Sequence, residues 1–145
     1  MGKIESADLI ERAGEELSPE VMAILKMEGP KWAKQIKYSI NKFNFEVLSV
    51  IKEKEEGEEY HQATINLYLA INEINKAYEL MPFSDNFKTM RTYVFGLLKQ
   101  LRLLQIFLNK RYYRQEDRKT IIKLSLQSID ERIHLVELGV NAMLK

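Results

Sequence analysis

The 145-residue chain contains no cysteine, only three prolines and six glycines, and no long apolar run. The absence of cysteine excludes disulfide bonds, thiolate metal sites and a cysteine nucleophile. The longest apolar stretches are interrupted by glutamine or arginine within a few residues, whereas a membrane span needs about 20 apolar residues. The first six residues also lack the apolar centre of a secretory signal. These absences predict a cytoplasmic protein without a membrane segment.

The few prolines and glycines stand mostly where one apolar stripe ends and the next begins, which is typical of helix boundaries. A short helix is predicted at residues 6–17, and Ser18 followed by Pro19 predicts the start of another. Four longer stripes follow, separated near residues 53–59, 82–85 and 112–115. The first of them contains Ile36, Ile40, Phe43, Val47 and Val50 at steps of four and three. Helices of this length with short connections predict an all-α fold, an up-down four-helix bundle at residues 30–145, preceded by an acidic helical extension at residues 1–29.

The nearly neutral net charge hides a separation along the chain. Residues 1–87 contain 10 Lys and Arg against 16 Asp and Glu, whereas residues 88–145 contain 12 against 5. Such a separation indicates either an anionic partner for the second part or acidic and basic helices that complement each other when packed.

Basic residues of the second part fall into two groups. The first is a helical stripe made of Lys88, Arg91, Lys99, Arg102 and Lys110. The second surrounds the predicted turn and consists of Lys110, Arg111, Arg114, Arg118, Lys119 and Lys123. Tyr112 and Tyr113 are interleaved with the second group, and cations beside aromatic rings suit RNA phosphates and unpaired bases. The alternative is that the tyrosines fill the core and the arginines pair with nearby carboxylates.

Patterns for catalysis and metal binding are weak. Each histidine follows a glutamate by three residues, in Glu58 to His61 and Glu131 to His134, a spacing also found in di-metal bundles. Such a centre needs inward carboxylates on the other two helices, and there is no acidic residue between Lys88 and Gln115. No phosphate-binding glycine loop or plausible serine triad is present. We therefore expect no enzyme activity, no metal and no cofactor.

One stretch of sequence carries a family resemblance. It combines Phe87-Lys-Thr-Met-Arg-Thr-Tyr, Leu97-Leu-Lys-Gln-Leu-Arg-Leu-Leu and Lys123-Leu-Ser-Leu-Gln-Ser-Ile-Asp-Glu-Arg-Ile. This stretch, residues 86–136, resembles the last two helices of the accessory variability determinant (Avd) proteins of diversity-generating retroelements. These are related to the four-helix proteins encoded by 23S ribosomal RNA intervening sequences.

The resemblance implies a basic helical protein that forms a ring-like homo-oligomer, a pentamer in Avd, and binds a reverse transcriptase and its template RNA. It implies a basic surface at Lys88, Arg91, Lys99 and Arg102, with Arg132 as a weaker match. We therefore expect a non-catalytic RNA-binding accessory subunit. The alternative expectation is a protein-interaction or scaffold bundle, such as the small subunit of a larger complex, without nucleic-acid contact. A small subunit of a CRISPR effector, which would use the same basic surface, is a third possibility.

Overall fold

The computed structural model describes residues 18–82, 84–108 and 115–144. Every regular element in these ranges is helical, which confirms the predicted all-α class. The α-helices are α1 (Pro19–Glu28), α2 (Pro30–Phe43), α3 (Ser49–Glu53), α4 (Glu58–Glu79), α5 (Lys88–Phe107) and α6 (Gln115–Met143). A π-helix (Asn44–Leu48) joins α2 to α3, and a 3-10 helix (Asp85–Phe87) precedes α5. The helix predicted at residues 6–17 lies outside the described residues. None of the helices in the described ranges combines the length and hydrophobicity needed to cross a bilayer.

Hydroxyl caps and a single glycine set the helix starts. Ser18 is the N-cap of α1, and its hydroxyl accepts a hydrogen bond from the Val21 N–H at 3.4 Å. Ser84 caps the 3-10 helix in the same way, accepting from the Asn86 N–H at 3.1 Å. Gly57 precedes α4 with a φ of 101°, a conformation that residues with a Cβ rarely adopt. The turn between α3 and α4 therefore requires a glycine at this position.

The π-helix keeps α2 and α3 in one continuous helical segment but changes its register. The Ser49 N–H donates to the Asn44 carbonyl, five residues back, and the Ser49 hydroxyl donates to the Phe45 carbonyl at 2.7 Å. A π turn holds one more residue than an α turn, so the apolar face rotates beyond it. Leu48 and Ile51 are buried as a result, while Val50 is only partly buried.

The core lies between four helices that contact one another around it. Helix α2 packs against α4, α4 against α5, α5 against α6, and α6 against α2. Each contributes fully or almost fully buried side chains, among them Ile36, Ile40, Leu67, Ile74, Leu97, Leu101, Ile129 and Val136. A buried hydrogen bond from Trp32 Nε1 to the Ala77 carbonyl, 2.8 Å long, joins the start of α2 to the end of α4. Helices α2 and α5 thus lie diagonally across the core from each other.

Helix α1 is packed on the helices that follow it. It contacts α2, α6 and the 3-10 helix, and its Leu25 side chain is completely buried in the common core. The backbone at Gly29 comes so close to Met143 and Phe87 that a Cβ there would lie 2.6 Å from Met143 Sδ and 3.2 Å from Phe87 Cζ. Residues 19–28 of the predicted extension therefore share the core, and residues 1–17 lie outside the described residues.

Two glycines in helix interiors provide a test of this packing. A Cβ at Gly139 would overlap the buried Met90 side chain, 2.7 Å from its Cε, whereas the atoms nearest to a Cβ at Gly96 belong to the Arg132 side chain, with Nη1 at 3.3 Å. We expect Gly139→Ala to lower the free energy of unfolding by about 1–3 kcal/mol through overpacking. Gly96→Ala should instead raise it by about 0.4–1 kcal/mol, because alanine favours the helix. Urea unfolding measures both, and a gain in stability for Gly139→Ala would contradict the contact with Met90.

Candidate functional site

One face of α5 is exposed and basic. Lys88, Arg91, Phe95, Lys99 and Arg102 follow one another at steps of three and four residues, so they share a face, which we call the α5 surface. The opposite face of the helix is buried through Met90, Val94, Leu97, Leu101 and Leu104. Helix α5 contains these four cations and no carboxylate. On this helix Lys88, Lys99 and Arg102 are exposed and Arg91 is partly buried, whereas Lys110 of the predicted stripe lies outside the described residues.

Two of the four cations make short-range contacts inside the molecule. Arg91 Nη1 donates to the Pro82 carbonyl at 2.6 Å, and Arg102 Nη2 lies 3.5 Å from Asn75 Oδ1. Both acceptors are neutral, so the two charges are not neutralised. Lys88 and Lys99 are exposed, with no carboxylate in ion-pair range in the described part of the chain. Among the described residues, no carboxylate therefore compensates the charges of the α5 surface, where Lys88, Lys99 and Arg102 are exposed and Arg91 is partly buried.

Aromatic rings adjoin these cations. Phe95 lies within the α5 surface and is 52% exposed. Its ring centroid is 6.3 Å from that of Tyr78 on α4. Tyr68, which precedes Tyr78 on the same helix α4, is 56% exposed. The groove between α4 and α5 therefore holds cations beside the accessible Phe95 ring, and Tyr68 is a further exposed ring of α4. Tyr112 and Tyr113, the rings predicted beside the second basic group, lie outside the described residues.

The prediction for Arg118 was wrong. This residue was predicted to lie on the basic surface, but it is 8% exposed. Its Nη2 donates to Tyr60 Oη at 2.8 Å and reaches the Leu108 carbonyl at 3.4 Å. Because Tyr60 begins α4 and Leu108 ends α5, this guanidinium ties three helices together and is not available on the α5 surface.

The other predicted basic residues lie on α6 or outside the described residues. Lys119 and Lys123 are exposed on the side of α6 that faces α3, and Lys119 Nζ lies 3.4 Å from Glu55 Oε2. Arg132, the weaker match, points the other way along α6, with its side chain against Gly96 of α5. Lys110, Arg111 and Arg114 lie outside the described residues. The structure therefore separates Lys119 and Lys123 from the α5 surface.

A second basic helix was missed by the analysis of the sequence. Helix α2 contains Lys31, Lys34, Lys37 and Lys42 and no carboxylate. The signal was present in the sequence, but averaging charge over residues 1–87 concealed it, because the flanking segments are acidic. Only Lys42 of this helix has a carboxylate partner among the residues described, Glu73 on α4, with 3.2 Å between Nζ and Oε1.

The contact with Glu73 changes the titration of Lys42. The hydrogen bond and the attraction of the carboxylate raise the pKa of Lys42 above its ordinary value of 10.5. A raised lysine pKa means that the pair stabilises the folded state below that ordinary value. This contribution is lost as the pH rises through the raised pKa.

Both histidines are exposed. His61 lies in the first turn of α4, and His134 lies on α6 beside Asp130 and Glu137 in a shallow groove. Among the described residues, no three His, Asp or Glu side chains are grouped closely enough to hold a metal ion.

Comparison with known proteins adds no assignment. Searches of protein families, curated proteins and solved structures find no match for this chain.

Proposed function

We propose that this protein is a non-catalytic RNA-binding accessory subunit that contacts RNA through the α5 surface. The observation that carries the proposal is the excess of four cations on one helix that contains no carboxylate, together with the lack of any carboxylate among the described residues in ion-pair range of its two lysines. Phosphates are the natural partner of such a face, because their neutralisation by Lys and Arg releases bound counterions.

The rings beside the cations favour RNA with unpaired bases over a uniform duplex. Phe95 and Tyr68 are accessible for stacking, and Arg102 reaches from α5 to Asn75 on α4. Base stacking on aromatic side chains contributes about 1–3 kcal/mol per base and tolerates many sequences. We propose that single-stranded or looped RNA lies along the α4–α5 groove, held by phosphate contacts and without base-specific readout.

The proposal extends to the assembly. The circuit of contacts among α2, α4, α5 and α6 supports a four-helix bundle. By the resemblance of residues 86–136 to the Avd family, we propose a homo-oligomer, a pentamer if Avd-like, that assists a reverse transcriptase in the cytoplasm. The basic residues that the resemblance implies, Lys88, Arg91, Lys99 and Arg102, are those of the α5 surface.

A second candidate function is protein docking without nucleic acid. It is favoured by the outward face of α4, where Ile65, Tyr68 and Leu69 are each 43% or more exposed at positions i, i+3 and i+4. An amphipathic helix of a partner protein is the kind of ligand that such anchors receive. Under this alternative, the charges of α5 only orient the partner.

Charge reversal separates the two functions. We expect Lys88→Glu/Lys99→Glu/Arg102→Glu to weaken binding to a fluorescent single-stranded RNA by about 50-fold or more at 0.15 M salt. The reason is that each phosphate contact on a single strand contributes about 0.7 to the logarithmic salt slope, or about fourfold in affinity at this salt concentration. Arg91 is left intact because of its bond to the Pro82 carbonyl. The measurement is fluorescence anisotropy at several salt concentrations, in which the slope should fall by about 2.

The matched control is Lys31→Glu/Lys34→Glu/Lys37→Glu. These three residues are exposed on α2, which also contains no carboxylate and lies across the core from α5. Both variants replace three cations by glutamate, so they change the net charge equally. We expect the control to retain most of the affinity. Equal losses in both variants would show non-specific attraction, and an unchanged affinity in the α5 variant would favour the protein-docking function.

A further inference from the structure

A cleft of about 910 Å³ opens at the end of the molecule where α3 gives way to α4. Residues 51–56 form one wall, and the first half of α6 forms the other. The two walls are joined by a salt bridge from Lys52 Nζ to Asp130 Oδ2, 2.9 Å long. The volume of the cleft is in the range of small-molecule sites, which is about 300–1,000 Å³. Nothing in the proposed RNA contact uses this cleft.

The cleft is lined by the buried Arg118. A guanidinium has five N–H donors, and the two on Nη2 are directed at Tyr60 Oη and the Leu108 carbonyl. This leaves three donors, on Nε and Nη1, without an acceptor among the described residues. The Nε is enclosed and makes no hydrogen bond at all. A buried donor without an acceptor destabilises the fold, more so when it is charged.

No carboxylate of the described residues compensates this charge. In the described ranges, no Asp or Glu oxygen lies within 4.0 Å of Arg118. Residues 109–114, which follow Leu108 directly, have the sequence Asn-Lys-Arg-Tyr-Tyr-Arg and contain no acidic residue. A buried arginine whose known acceptors are a phenol and a backbone carbonyl is suited to bind an anion.

We propose that the cleft is a binding site for the phosphate group of a small organic phosphate, with Arg118 as its principal ligand. Tyr60 Oη accepts from Arg118 and keeps its own proton free to donate to the anion. Lys123 lines the same cleft, is exposed and has no carboxylate partner among the residues described. The inference does not depend on RNA binding by the α5 surface.

The remaining lining residues argue for a small ligand. Ile51, Ile122 and Leu126 provide apolar walls, which suit an organic group such as a nucleoside attached to the phosphate. Four carboxylates also line the cleft, of which Glu55 and Asp130 are paired with lysines, while Glu53 and Glu56 are exposed and unpaired in the described part of the chain. These two charges repel a long polyanion at the rim, whereas a single phosphate is drawn to the buried guanidinium.

The test uses the full chain and three probes: inorganic phosphate, uridine 5′-monophosphate and uridine. Binding is followed by nuclear magnetic resonance, using the Arg118 Nε–H signal, and by titration calorimetry. We expect both phosphates to shift the Nε–H signal in a saturable way, because phosphate oxygens that meet the Nη1 donors change the electron distribution over the whole guanidinium. Uridine alone should leave the signal unchanged. The nucleotide should bind more tightly than inorganic phosphate, because it also buries apolar surface in the cleft.

Three variants complete the test. Arg118→Lys should weaken nucleotide binding about 10- to 100-fold, the range for a lost hydrogen bond between charged groups. Lys123→Glu should weaken it several-fold, and it keeps the test decisive if the buried arginine variant does not fold, because Lys123 is exposed. Lys34→Glu on α2 is the control and should bind the nucleotide normally, because Lys34 is exposed and does not line the cleft. The proposal is overturned if uridine binds as well as its phosphate, if Arg118 Nε–H does not respond, or if Lys34→Glu weakens binding as much as Lys123→Glu.

Discussion

Phe87→Ala is expected to lower the free energy of unfolding by about 3–5 kcal/mol, the range for removing a buried phenylalanine ring. Phe87 is completely buried, and its ring meets Trp32 edge-on with the centroids 6.3 Å apart. It also lies beside Gly29, at the junction of α1 and α2. The loss of this ring leaves a cavity between α1, α2 and the 3-10 helix. Packing of these elements against one another limits the collapse of the cavity. Urea unfolding followed by the fluorescence of Trp32, the single tryptophan, measures the loss.

Phe95→Ala provides the matched control. It removes the same atoms from a ring that is half exposed and contacts only Tyr78 among the aromatic rings of the described residues. We expect a loss of less than about 1 kcal/mol, because little apolar area returns to water and alanine favours the helix. Equal losses for the two variants would contradict the burial of Phe87 in the core.

Leu25→Ala should cost about 2–5 kcal/mol, as is typical for a buried leucine. Leu25 is the only fully buried side chain of α1, so it carries most of the apolar contact between this helix and the remainder of the molecule. The free energy of unfolding from urea denaturation is the quantity to measure. A transition that stays single and moves to lower urea concentration would show that α1 unfolds together with the other helices.

Leu124→Ala on α6 controls for the change of residue type. Leu124 is exposed, so its truncation should change the stability by no more than about 0.5 kcal/mol. If Leu25→Ala were equally mild, α1 would not be a part of the core, and the predicted boundary at residue 29 would mark a separate extension.

The sequence was sufficient for the helices because their signals are local. Ser18, Pro19 and Ser84 start helices where a hydroxyl cap or a fixed φ favours them, and the buried faces of α4, α5 and α6 follow the predicted apolar periods. The π turn was not predictable in this way. Its consequence, the exchange of Val50 for Ile51 in the core, depends on which carbonyl the Ser49 N–H meets, and a period of 3.6 residues carries no sign of it.

The candidate site was predictable only in part. The cations of α5 were found because they lie on one helix with its leucines opposite. Arg118 was misplaced because its neighbours in sequence are exposed and charged, while its partners, Tyr60 and Leu108, come from two other helices. Burial of an arginine is decided by such distant acceptors, and a local pattern gives no information about them. The basic character of α2 was hidden for a different reason, since charge was summed over a segment much longer than one helix.

The π turn between Phe43 and Ser49 also bears on how related chains should be compared with this one. A relative that kept the same helices but formed an ordinary α turn there would be one residue shorter at this point. Its correct alignment would place a gap inside an unbroken helix, where gaps are usually penalised most. An alignment without this gap would pair the wrong residues from Ser49 to the turn that follows α3. The similarity of the two sequences would then be hidden in the segment that forms one wall of the cleft.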